Sequence, residues 1–117
     1  MEKEPLQISI DDFNVCFYGG QIKNMTRIVI GLIQNNYLVA WIKFYDNPQD
    51  IPADDYDENK FINMNVPIAL YEGIISTLRN KRYLRLIYMK ESKIAMLSEA
   101  PLETLENKMP GSPFSIN

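Results

Sequence analysis

A chain of 117 residues, 46% hydrophobic and 23% charged, is long enough to bury the core of one domain without a disulfide or metal to hold it. A net charge of −3 argues against a generally basic nucleic-acid-binding surface. The absence of histidine excludes Ser–His and Cys–His nucleophile pairs and the commonest zinc ligand, so neither an enzyme nor a cofactor is expected.

The single cysteine, Cys16, has no intrachain partner for a disulfide. It also cannot make a zinc site of four cysteines, or of two cysteines and two histidines. The first residues, Met1-Glu2-Lys3-Glu4-Pro5, are charged and lack the apolar stretch of a secretory leader. No apolar run reaches the length of a membrane span. A cytoplasmic protein with no membrane contact is therefore the expectation.

In chain order, residues 1–8 are polar and read as loose. A strand is predicted over Ile8–Tyr18, with Phe13, Val15 and Phe17 on one face and Asn14, Cys16 and Tyr18 on the other. Gly19-Gly20 ends it. Thr26–Gln34 reads as a second strand, rich in β-branched residues and apolar on both faces, as a central strand would be. Gly31 within it signals a bulge or a close approach by a neighbour. Asn35-Asn36 is a two-residue turn, since asparagine tolerates positive φ. It leads into a third strand, Tyr37–Tyr45, with Leu38, Ala40, Ile42 and Phe44 on one face and Tyr37, Val39, Trp41, Lys43 and Tyr45 on the other.

Asp46–Lys60 is a long acidic loop of a length that is often functional or mobile in a small domain. Phe61–Met64 reads as a short strand. Apolar residues at 66, 70, 71, 74, 75 and 78 then predict a helix over Asn65–Asn80, capped by Asn65 with Pro67 in its first turn. Tyr83–Lys90 and Lys93–Ser98 predict a hairpin turning at Glu91-Ser92. From residue 100 onwards, Pro101, Pro110, Gly111 and Pro113 predict an extended or partly disordered tail. The fold class is α+β: a single domain over residues 1–99 with a curved, mainly antiparallel sheet and one helix on one face.

One helix cannot cover both faces of such a sheet. Strands two and three carry large apolar groups on both sides, so either the sheet curls into a barrel-like roll or a second copy covers it. This geometry predicts a small binding or assembly module, self-associating or bound to a protein partner through its sheet. The candidate contact residues are Tyr37, Trp41, Lys43 and Tyr45 on strand three, with Arg82 and Arg85 beyond the helix. Tyrosine and tryptophan are common at subunit interfaces. The alternative is a single-stranded nucleic-acid binder, because aromatics interleaved with cations on a sheet can stack bases and hold phosphates.

Two weaker signals have plainer explanations. Asp55-Tyr56-Asp57-Glu58-Asn59 resembles the start of a calcium loop. However, Lys60 stands where the sharp turn needs glycine and Val66 where the bidentate glutamate belongs, so a solvated acidic loop is expected. Cys16 lies between Val15 and Phe17 in a strand, which suits a structural thiol.

Overall fold

The computed structural model describes residues 5–20, 28–80 and 83–99. The expected strands, turns and helix of an α+β chain are present, and the sheets are mostly antiparallel. There are two sheets rather than one. The strand predicted over Ile8–Tyr18 divides into β1 (Leu6–Ile10) and β2 (Asp12–Phe17), and Asp11 is the pivot between them. The other strands are β3 (Ile28–Gln34), β4 (Tyr37–Tyr45), β5 (Asp55–Tyr56), β6 (Ile62–Pro67), β7 (Leu84–Met89) and β8 (Ile94–Ser98). One sheet has the order β2-β3-β4-β6-β5 and the other β1-β7-β8. They face each other without closing into a barrel.

Strand register explains the core. Directly opposed residues in a sheet point to the same face. Phe13, Leu32, Ala40 and Ile62 form one row across the five-stranded sheet, and Val15, Ile30, Ile42 and Met64 form the next. Both rows point inward. From the other sheet, Leu6, Tyr88 and Ala95 and then Ile8, Leu86 and Leu97 point back at them. These residues belong to one apolar cluster, in which Ile30, Leu32, Ile42, Phe44, Ile62 and Leu86 are wholly buried. Ile87, Met89 and Met96 make a second, smaller cluster on the far face of the three-stranded sheet.

The helix, α1 (Tyr71–Asn80), is shorter than its periodicity suggests. Asn65, Val66 and Pro67 are the end of β6, paired in parallel with Lys43, Phe44 and Tyr45. A 3-10 turn over Ile68–Leu70 then leads into the helix, and Pro67 caps that turn with no side-chain hydrogen bond. Ile75 and Leu78 are buried and Tyr71 and Ile74 pack beside them, but Leu70 is 48% exposed. The Tyr71 ring meets Phe44 edge to face, with centroids 5.3 Å apart, which anchors the helix on the inner face of the five-stranded sheet.

The parallel pairing of β4 with β6 gives the long acidic loop a purpose. Parallel neighbours need a crossover of a dozen or more residues, whereas a hairpin needs two. Residues 46–61 are that crossover, and β5 lies within it, paired antiparallel to β6. Both expected hairpins are present. Asn35 and Asn36 have φ of 51° and 70°, joining β3 to β4. Lys93, at φ 57°, closes the β7–β8 turn with its N–H on the Met89 carbonyl at 2.8 Å. Asp11 ties the pivot to the first hairpin. Its N–H donates to the Ile33 carbonyl at 2.8 Å, and its Oδ2 accepts the Asn35 N–H at 2.6 Å.

Candidate binding surface

The outer face of the five-stranded sheet, turned away from the core, carries the side chains of interest. Its rows follow from the register. Asn14, Gly31, Trp41, Asn63 and Asp55 lie side by side across all five strands, and Cys16, Val29, Lys43 and Asn65 form the adjacent row. A register shift between Leu32 and Ile33 leaves Val39 unpaired, as in a β-bulge. The shift exchanges the faces beyond it. Val39 packs on the core, and Leu38, expected on the core face, turns outward over Gly31. A Cβ on Gly31 would lie 2.8 Å from Leu38 Cδ1 and 3.4 Å from Trp41 Cζ3. Gly31 therefore serves both roles its position signalled: it sits beside a bulge and it admits close neighbours.

Leu38, Trp41, Ile33 and Cys16 line a shallow groove of about 350 Å³ above Gly31, with the amides of Asn14 and Asn36 at its margins. Of the groove residues, Trp41 alone is a candidate contact residue from the sequence, where Cys16 reads as a structural thiol. The visible signal for the rest was a glycine inside an otherwise apolar strand.

The six candidate residues do not form one cluster. Trp41, Lys43 and Tyr45 share the outer face. Tyr45 is buried there, and its hydroxyl donates to Asn65 Oδ1 at 3.2 Å. Burial, and after it the Asp55 charge, raises the Tyr45 hydroxyl above the usual tyrosine range. Tyr37, 75% exposed, lies beyond the register shift opposite Gln34, on the other side of the ribbon from Leu38. Arg85 belongs to the three-stranded sheet, between Ser9 and Ser98. Arg82 lies outside the described residues, as does the segment from residue 100 onwards.

The acidic loop is more structural than a solvated loop would be. Asp54 Oδ1 accepts the Asn65 N–H of β6 at 2.7 Å, and its Oδ2 accepts the Ala95 N–H of β8 at 2.8 Å. One carboxylate thus links the two sheets where no strand pairing does. Burial raises the Asp54 carboxyl above the usual range, and the two N–H donors pull against that shift. Asp57 Oδ1 accepts N–H groups from Asn59 at 2.9 Å and Phe61 at 3.0 Å. The Asn63 amide donates to Asp57 Oδ2 at 2.9 Å and to Asp55 Oδ1 at 2.7 Å. The Asn63 amide and the Phe61 N–H hold the Asp57 carboxyl below its usual range, with a smaller contribution from Lys43. Asn63 is only 5% exposed, and its two bonds are part-buried. Among the described residues, no group of three or more acidic or cysteine side chains is placed to hold a metal ion.

Among the described residues no helix is long and apolar enough to cross a membrane. Compared with protein-family models, with curated proteins and with solved structures, the chain finds no match in any of the three.

Proposed function

We propose that this chain is a small non-enzymatic binding and assembly module that self-associates through its five-stranded sheet. One observation carries the reading. On the outer face of that sheet Leu38, 36% exposed, lines an open groove with the half-buried Ile33, Trp41 and Cys16, and at the end of β2 Phe17 stands 69% exposed on the face that carries Phe13 and Val15. Contiguous apolar surface on a small domain marks an interaction site far more often than a lone exposed side chain does. The non-enzymatic half rests on residue chemistry. There is no histidine, and Asp54, Asp55 and Asp57 are each engaged in holding β6 or β8. Light scattering over a dilution series tests the reading. A dimer that dissociates on dilution is expected, and a strict monomer at about 100 µM overturns it.

A second reading, a single-stranded nucleic-acid binder, is favoured by one arrangement: Trp41 and Lys43 both stand on the outer face beside the groove. Base stacking on Trp41 would quench its fluorescence on addition of oligo-dT, with a steep loss of binding as salt rises. An emission spectrum indifferent to oligo-dT eliminates that reading.

A further inference from the structure

The four sheet edges are treated differently. β5 is only two residues long. On β8, the Ala95 N–H is taken by Asp54. On β1, the Ser9 hydroxyl accepts from Gln34 Nε2 at 3.1 Å, which ties that strand to β3. The first two leave less free edge to recruit another strand, and the third holds β1 against β3. Among the described residues, β2 has such a device only at its first two residues. It runs in unbroken register with β3 from Asp12 to Phe17, and β3 is its one strand neighbour among the described residues. It contains no proline, glycine or lysine. Its one charge, Asp12, stands at the end of the strand, where Oδ1 accepts the Phe13 N–H at 2.8 Å.

We infer that the β2 edge is where a second copy of this chain pairs, antiparallel about a two-fold axis through Val15, joining two five-stranded sheets into one. This deepens the self-association reading above and rests on it. A two-fold axis perpendicular to the sheet keeps the core faces of both copies on one side, so each residue must meet one of the same orientation. Centred on Val15, the strand is complementary to itself. Val15 meets Val15 of the second copy, Phe13 meets its Phe17, and Asn14 meets its Cys16. Phe17, 69% exposed in the single chain, gains an aromatic cross-strand partner on each side of the axis. The two Asp12 carboxylates fall at opposite ends of the ribbon, about 20 Å apart at the usual strand rise. A parallel pairing would set them side by side. An axis through Asn14 would put Phe17 opposite Asp11, which has already left the sheet at the pivot. The strand edge is a small contact, so a dissociation constant of about micromolar is expected.

Site-directed crosslinking tests the inference. With Cys16→Ser as background, Val15→Cys should be linked into a dimer by a short thiol-to-thiol reagent at about 50 µM, and Asn14→Cys should be linked markedly less. In the otherwise unaltered chain, Phe17→Lys should weaken the dimer at least tenfold with the circular dichroism spectrum unchanged. Tyr83→Lys, in the bend just before β7 and 81% exposed, should leave the dimer intact. Preferential linking at residue 14 overturns the Val15-centred pairing. A dimer seen by light scattering that links at neither position and ignores Phe17→Lys overturns the β2 edge while leaving self-association standing. A monomer throughout overturns both.

Discussion

Single residues settle where this surface lies, and Gly31 most directly. Alanine there would bring its Cβ to 2.8 Å from Leu38 Cδ1. That atom is the end of a flexible, partly exposed side chain, so the leucine can swing aside. Gly31→Ala is expected to cost no more than about 1 kcal/mol while shifting the emission of neighbouring Trp41, and chemical denaturation followed by fluorescence reads both quantities. The opposite sign is expected at Lys93, whose φ of 57° is costly for a residue with a Cβ. Lys93→Gly should raise stability by about 0.5–1 kcal/mol in the same measurement, and a destabilised variant would show that the turn is not strained. Gly31 was visible in the sequence as an oddity in an apolar strand. The neighbours that need it were not, because Leu38 reaches the outer face only through a bulge, and a bulge belongs to a pair of strands rather than to one.

At the scale of elements, the hairpins were legible and the crossover was not. Asn35-Asn36 carries its own turn chemistry, and the alternation of β4 holds from Ala40 onward, past the bulge. Nothing local tells a polar crossover from a free loop. The residue that decides it, Asp54, accepts N–H groups 11 and 41 residues away, which come near only in the folded chain. Asp54→Ala should leave the Asn65 and Ala95 N–H groups without acceptors, at a cost of about 2–4 kcal/mol. Asp54→Asn should not restore stability, because an amide offers one oxygen where two are used. Faster hydrogen exchange at residues 65 and 95 would localise the loss. Asp54 and Asp57 also oppose each other in pH dependence. Asp57, whose carboxyl is held low in the folded chain, contributes stability above its unfolded value of about 3.9 that is lost as pH falls through the folded one. Asp54, held high, penalises the ionised folded chain, and that penalty is relieved as pH falls through its folded value. Asp57→Asn should therefore flatten the acid loss of stability below about pH 4, and an unchanged acid limb would count against this role. The same distance between pattern and packing appears in the helix. Its apolar stripe predicts Leu70 as buried, but the chain is still in a 3-10 turn there. Leu70→Asp should cost less than about 0.5 kcal/mol, whereas Leu78→Asp should prevent folding.

For the whole molecule, the question is whether two sheets make one folding unit. The α+β class was readable because strand and helix periods differ along the chain. The division into two sheets was not, because Asp11 and Asp12 look like ordinary polar residues in a strand and the bend between β1 and β2 exists only once each half has its own partner. That bend makes the sheets inseparable. β1 and β2 are consecutive, β8 is tied to the crossover by Asp54, and the inner rows of both sheets belong to a single cluster. Neither sheet can bury its apolar face without the other, so unfolding should be one cooperative transition. Trp41 reports on the outer face of the five-stranded sheet, and far-ultraviolet circular dichroism reports on both sheets. Their denaturation curves should superimpose. Leu86→Ala, wholly buried in the three-stranded sheet, should cost about 3 kcal/mol of stability and lower both midpoints together although it lies on the opposite sheet from Trp41. If the two sheets were independent, Leu86→Ala would melt the circular dichroism signal early and leave the Trp41 transition where it was. The shared core rules out that separation, because the inner rows of the five-stranded sheet would then face water.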